Sequence, residues 1–201
     1  MSYMSLRTNN LENKRMDKLM HHNPFYFIRH GETDWNRRGI YMGWQDIPLN
    51  PVGIRQAELA AQALLNKGIE HIVTSPLSRA MQTARIIADV IERPVTVIES
   101  FKEYGRGIKE GKTLENIAYE NSKLDGVLPE GAEKIEDFEK RIIHAFNYAI
   151  KLASCVLIVS HGGVYKAIRE MQGWPLLSLN NCMIMYHKPF ELPLVIHSDL
   201  P

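Results

Sequence analysis

Two short runs far apart in the chain, Phe25-Tyr26-Phe27-Ile28 and Val156-Leu157-Ile158-Val159, constrain the fold more than any other feature. Each is uncharged and built from aromatic, β-branched or leucine side chains, the composition of a strand buried on both faces. Each then stops at the same device, a histidine followed by glycine: Arg29-His30-Gly31 after the first, Ser160-His161-Gly162-Gly163 after the second. If both runs belong to one parallel sheet, His30 and His161 emerge on the same edge, at the carboxyl ends of the strands, where open α/β sheets bind ligands. Either histidine alone reads more simply as a polar residue that ends a strand. The pair, with Arg29 adjacent, points to a site.

The rest of the chain alternates in the manner of an α/β protein. Residues 37–51, rich in Gly, Asp and Pro, form a loop on the side of that edge. Pro51 precedes a helix over about 52–67, faced by Ile54, Ala57, Ala61 and Leu64 and stopped by Gly68. A second strand, Ile69–Thr74, leads to Ser75-Pro76, where Ser75 is a candidate N-cap and Pro76 the first residue of a helix with Ala80, Thr83, Ile87 and Ile91 on its apolar face. Pro94–Ile98 is a third strand. The segment 101–131 carries five glycines, and with a short helical stretch near 113–123 it reads as a lid-like insertion over the mouth of the sheet. A long helix spans about 133–153, faced by Ile135, Phe138, Ile142, Ala145, Ala149 and Ala153. The Val156–Val159 strand, a helix over about 163–172 and a further strand at Met183–His187 complete the pattern. Strands alternating with helices predict a three-layer α/β/α sandwich around a mostly parallel central sheet.

At 201 residues the chain is long enough for one domain with a substantial core, here 23–201, preceded by a polar tail over 1–22. Apolar residues are 45%, charged residues 23% and the net charge +1, so nothing in the balance calls for nucleic acid or an anionic membrane as partner. No apolar run approaches the ~18 residues of a membrane span, and the polar tail has no apolar core for a secretory signal. Cys155 and Cys182 sit in apolar surroundings without CxxC spacing, as expected of buried thiols in a reducing compartment. Cytoplasm is the expected location. His21-His22 in the tail read as incidental rather than as metal ligands. The oligomeric state is not legible.

Arg79 lies in the first turn of the helix opened by Ser75-Pro76, close to its free backbone N–H groups and the positive end of its dipole. An exposed ion-pairing arginine is the plainer reading of that residue taken singly. Two guanidiniums and two imidazoles converging on one pocket make a site for a tetrahedral oxyanion, most simply phosphate. The Asp/Glu cluster of a magnesium-dependent phosphatase is not present among these residues. The attack then falls to a side chain, and an imidazole, neutral near neutral pH, can take the phosphoryl group itself.

At these residues the chain resembles a known family. Arg29-His30-Gly31-Glu32-Thr33 with Asn36, Ser75-Pro76-Leu77-x-Arg79-Ala80-x-Gln82-Thr83-Ala84 and Ser160-His161-Gly162-Gly163 are similar to the signatures of the histidine phosphatase superfamily, the phosphoglycerate mutase-like group, over about residues 24–188. The resemblance implies that His30 is the nucleophile and becomes a phosphohistidine. It also implies that Arg29, Arg79 and His161 complete the phosphate pocket. Glu103, in Glu103-x-x-x-Gly107-x-x-Glu110-Gly111, matches the proton donor that serves the leaving oxygen and later activates water; a solvated loop carboxylate is its plainer reading. Thr33, Asn36 and Gly162 match positions that contact phosphate or substrate, and the first two read equally well as capping or turn residues. No metal is implied.

Two branches of the family differ in what attacks the phosphohistidine. Phosphatases admit water; cofactor-dependent phosphoglycerate mutases hold a second anionic substrate and use 2,3-bisphosphoglycerate. The mutases carry an inserted segment with paired arginines after the Glu motif, whereas the Arg-Arg pair in this chain is Arg37-Arg38. Glu110-Gly111 also resembles the phosphatase pattern rather than Gln-Gly followed by Leu-Asn-Lys. Pro129-Glu130-Gly131-Ala132-Glu133 matches the phosphatases' Pro-x-Gly-Glu-Ser loosely, and Arg141 fits their downstream arginine. The favoured expectation is a metal-independent phosphomonoesterase with no cofactor, acting on a small phosphorylated metabolite; Arg106, Lys109, Lys112 and Lys123 in the lid suit a second anionic group, or are simply a solvated basic loop. The mutase is the alternative. A non-catalytic relative that only binds a phosphorylated ligand would have lost the nucleophile or a pocket arginine, and all five chemical positions are present.

Overall fold

The computed structural model describes residues 23–113, 128–189 and 191–197. The polar tail expected over 1–22 and, apart from Thr113, the helical stretch expected near 113–123 lie outside the described residues.

Six strands form one sheet: β1 (Phe25–Arg29), β2 (His71–Thr74), β3 (Val95–Val97), β4 (Val156–Ser160), β5 (Ile184–His187) and β6 (Leu194–His197), in the order β3-β2-β4-β1-β5-β6. The first four in that order run parallel, and β5 and β6 continue the sheet antiparallel. Among the described residues the α-helices are α1 (Asp34–Arg37), α2 (Pro51–Ala63), α3 (Ser78–Ile91), α4 (Ile135–Ala149) and α5 (Gly162–Gln172). The mostly parallel α/β sandwich is as expected. β6 and the one-turn α1 are not: β6 follows Pro193 with three successive exposed apolar residues, so it lacks the period-2 signal that marks a strand.

The alternation of the two central strands divides the core between the layers. Phe25, Phe27, Val156 and Ile158 turn toward one face and pack with Phe138, Ile142 and Phe146 of α4 and with Val164 and Ile168 of α5. Tyr26, Ile28, Leu157 and Val159 turn to the other, against Ala57, Ala60, Ala61 of α2 and Ala84, Ile87 of α3. Both faces are therefore covered, which is why these strands read as unbroken apolar runs. Each fully buried Phe or Leu here contributes about 1.5–3 kcal/mol by burial.

Helix boundaries and faces differ from expectation in ways that have local causes. Asn50 caps α2 by accepting from Gly53 N at 2.8 Å, with Pro51 at its first position. Ile54 is 42% exposed because the buried face is centred on Gly53, Ala57 and Ala60, where the helix lies against the chain at Gly31 and Glu32. Gly31 and Gly53 meet backbone to backbone, and a Cβ on either would overlap the other segment. Ile135, the first residue of α4, is also exposed, one turn ahead of the first core residue, Phe138. Ser75 does not cap α3. That helix begins at Ser78, whose N–H and hydroxyl both donate to the Asp46 carboxylate, so the cap comes from the preceding loop. Both cysteines are buried and free. Among the described residues no helix is long and apolar enough to cross a membrane.

Candidate active site

The parallel pairing of β1 and β4 sets Arg29 beside Ser160, so the next residues of each strand leave the sheet together. His30 N donates to Ser160 O at 2.9 Å, and the two imidazoles, His30 and His161, have ring centroids 5.3 Å apart. Both rings are buried, 2% and 0% exposed. His30 Nδ1 lies 2.7 Å from Gly31 O. A carbonyl can only accept, so Nδ1 carries the proton and the Nε2 lone pair is free. His161 Nε2 lies 2.8 Å from the Ser75 hydroxyl, while its Nδ1 has no partner among the described residues. Burial, then Arg79 and Arg29, push His30 well below the usual histidine range. Burial, then Arg79, His30 and Arg29, do the same to His161. Both rings are neutral at neutral pH.

The two arginines are held by backbone carbonyls rather than by carboxylates. Arg79, 0% exposed, donates to Gln45 O at 2.8 Å and Gly43 O at 2.9 Å, and burial lowers it to about 10. Arg29 donates to Leu179 O at 2.8 Å, and burial lowers it as well. Each has a buried Nε without a partner among the described residues. With His161 Nδ1, that makes three unpaired buried nitrogens around His30, and burying such groups is costly unless something else accepts from them. A tetrahedral oxyanion, with three peripheral oxygens, fits the set.

Glu103 lies beside this set. Its Oε1 accepts from Tyr104 N at 2.8 Å and its Oε2 from Gly163 N at 3.1 Å, and its charge acts on both Arg29 and Arg79. A Cβ at Gly163 would overlap the Glu103 carboxylate, so glycine is what lets the start of α5 come this close. The structure thus brings together His30, His161, Arg29, Arg79 and Glu103, all five expected positions. Gly162 opens α5 beside Arg29 Nε.

Thr33 and Asn36 form a reciprocal capping box on α1: Thr33 Oγ1 accepts from Asn36 N at 3.1 Å and Thr33 N donates to Asn36 Oδ1 at 3.2 Å. The capping box accounts for the turn, one of the two readings open from the sequence. Several site residues escape sequence reasoning. Asn181 Nδ2 donates to His30 O at 2.9 Å, and Cys182 N donates to Arg29 O at 3.0 Å. Thr83, expected on the apolar face of its helix and within the family signature but with no role assigned, accepts from Gly31 N and donates to Arg79 O, tying the histidine loop to the arginine helix. The carbonyls that hold the arginines have no side-chain signature and could not have been found. Among the described residues no group of three His, Cys, Asp or Glu could hold a metal ion.

Comparison with known proteins bears on the family and the fold. The family model described as the histidine phosphatase superfamily (branch 1) matches residues 25–188. A Yersinia enterocolitica protein named "Probable phosphoglycerate mutase GpmB" is 37% identical over 148 residues, covering 68% of this chain and 68% of its own. The solved structure of TTHB049 from Thermus thermophilus superposes with a TM-score of 0.69 at 26% identity, over 86% of this chain and 97% of that one. A mycobacterial glucosyl-3-phosphoglycerate phosphatase shares the fold, with a TM-score of 0.69 at 24% identity over 82% of this chain and 89% of its own.

Proposed function

The chain belongs to branch 1 of the histidine phosphatase superfamily, and on that premise we propose that it is a metal-independent phosphomonoesterase that works through a phosphohistidine on His30. The observation that carries this reading is the trio of unpaired buried donors, Arg29 Nε, Arg79 Nε and His161 Nδ1, around an imidazole whose other nitrogen is committed to Gly31 O.

In this mechanism the phosphoryl oxygens accept from the two guanidiniums and His161. His30 Nε2 attacks phosphorus in line with the leaving oxygen. The P–N bond forms as the P–O bond breaks, and Glu103, entering as the acid, gives its proton to the leaving alcohol. Water then attacks the phosphohistidine, Glu103 takes its proton back, and phosphate leaves with the His30 lone pair restored. Charge that develops on the oxygens meets fixed donors in a water-poor pocket, where they are worth most. Neither step calls for a metal or a cofactor.

A small monoester with a second anionic group suits the mouth. The Arg106 guanidinium lies 4.4 Å from the Tyr41 ring centroid and 5.6 Å from that of Tyr104, so it is held by two aromatic faces rather than by a carboxylate. The name of the Yersinia relative favours a second reading, phosphoglycerate mutase activity with 2,3-bisphosphoglycerate as cofactor.

One assay separates them. Purified protein in excess chelator is given a panel of phosphate monoesters, and 3-phosphoglycerate with and without 2,3-bisphosphoglycerate. Phosphate release that His30→Ala abolishes is the expected result. Formation of 2-phosphoglycerate at an enzyme-like rate, dependent on the bisphosphate, would make the protein a mutase; loss of activity with the chelator would remove the metal-independent reading altogether.

A further inference from the structure

The four carbonyls that lead up to the candidate acid are all held by side chains. Ser100 O and Lys102 O accept from Arg141 Nη1 at 2.6 and 2.7 Å, and Phe101 O accepts from Ser160 Oγ at 2.9 Å. Glu103 O accepts from Arg141 Nη2 at 2.9 Å and from Trp44 Nε1 at 2.8 Å. The other side of the Arg141 fork is filled by Glu133, with Nε on Oε1 at 2.6 Å and Nη2 on Oε2 at 2.8 Å. Glu133 Oε2 in turn accepts from Gly105 N at 3.2 Å, and the backbone N–H of Glu133 donates to Gly105 O. The side chains of the pair are 20% and 9% exposed, and the guanidinium rests on the Phe138 ring at 4.8 Å.

We propose that Arg141, paired with Glu133, is the positioning residue for Glu103: it fixes the backbone from which the acid reaches the leaving oxygen. The inference rests on the reading of Glu103 as proton donor. Its physical basis is the geometry of the fork. A guanidinium has five N–H groups in one plane and can hold three carbonyls and a carboxylate at once, whereas an ammonium has three donors and no plane. Among the described residues the carboxylate of Glu103 is tied at its tip by two backbone amides, Tyr104 N and Gly163 N, and the first of these moves with the segment that Arg141 holds. Rotation of the 100–105 backbone therefore carries the acid away from the leaving oxygen while His30, His161, Arg29 and Arg79, which sit on other elements, stay in place.

The consequence is specific to the leaving group. An alkyl alcohol must be protonated as it departs, and a nitrophenol need not be. Displacement of the acid thus slows alkyl esters and spares aryl ones, which a general loss of structure would not do. The readout is release of the alcohol or phenol in a single turnover, a step that precedes any difference between hydrolysis and transfer.

For Arg141→Lys in the full chain, the expected outcome is a roughly 100-fold loss on the best alkyl monoester of the panel and a loss of under about threefold on p-nitrophenyl phosphate. Inhibition by inorganic phosphate should be unchanged, since its four pocket residues are not touched. Glu103→Gln serves as the reference and should show the same selective loss, at least as large. If Arg141→Lys does not fold, Glu133→Gln, which removes the charge and turns one of the two acceptor oxygens into a donor so that one side of the fork is lost, reads the same ratio in the same direction. Equal losses on both esters, or none, in whichever variant folds would overturn the proposal while Glu103→Gln remains selective. An unselective Glu103→Gln would remove the reading of the acid itself, and the proposal with it.

Discussion

His30 and His161 show how much a residue's chemistry depends on its neighbours. Histidine has a pKa near 6.5 in a solvated peptide; here burial and two guanidiniums hold both rings neutral well below that. Neutrality is what a nucleophile needs, and it carries a stability consequence whose sign is fixed. Below about pH 6.5 the unfolded chain takes up protons at these positions and the native protein does not. Their contribution is fully present above that pH. It is lost as pH falls toward the lowered native values, by up to about 1.4 kcal/mol per pH unit for each histidine. Urea midpoints measured from about pH 7.5 down to about pH 5 should therefore fall more steeply in the wild type than in His30→Gln; parallel curves would show that the ring is not held neutral. The Ser75 hydroxyl adds a second control. It accepts from Leu77 N and lies on His161 Nε2, an arrangement that lets His161 carry its own proton on Nδ1, the unpaired nitrogen.

Among the elements, α5 has the most direct bearing on chemistry. It begins immediately after β4, and its first turn brings Gly163 N to the Glu103 carboxylate at 3.1 Å. Gly163 is the second residue of the helix and is not among the positive-φ glycines, so alanine there should favour the helix by less than the ~1 kcal/mol of an interior position. The added methyl would nevertheless collide with Glu103 Oε1. Gly163→Ala is thus expected to leave thermal stability unchanged or slightly raised while lowering the rate on alkyl phosphate esters about 100-fold. Paired melting curves and initial rates check this, and parallel losses of stability and rate would contradict it. The capping of α3 makes the complementary point. Asp46 satisfies Ser78 from a loop whose carbonyls at Gly43 and Gln45 also hold Arg79, so the start of that helix and the arginine it carries are set by one segment.

Across the whole molecule, the pocket is assembled from pieces of the chain far apart in sequence: the end of β1, the first turn of α3, the segment that carries Glu103, the start of α5 and the Leu179–Cys182 turn. An anion bound there bridges all of them and exists only in the folded state. Inorganic phosphate at about 100 times its Kd should raise the global unfolding free energy by about 2.7 kcal/mol. Urea titrations with and without phosphate measure the shift, and its absence would mean that the pocket does not take a phosphate-like anion. The two central strands were legible in the sequence because burial on both faces leaves an uninterrupted apolar run, and the His-Gly endings marked where they stop. Parallel pairing then put Arg29, His30 and His161 on one edge by register alone. Edge strand β6 was not legible, since its exposed side chains carry no alternation, nor was the exposure of Ile54 and Ile135, which depends on where the neighbouring layer ends. By itself the sequence determined the layers and marked the two His-Gly strand ends, because strand composition is a local property; that those ends share one edge was decided by the parallel pairing of β1 and β4. The carbonyl cradles of the arginines, the pairing of Ser75 with His161, and the hold of Arg141 on the Glu103 segment were decided by tertiary structure alone, because a backbone carbonyl carries no residue identity and its partner is chosen by proximity in the folded chain.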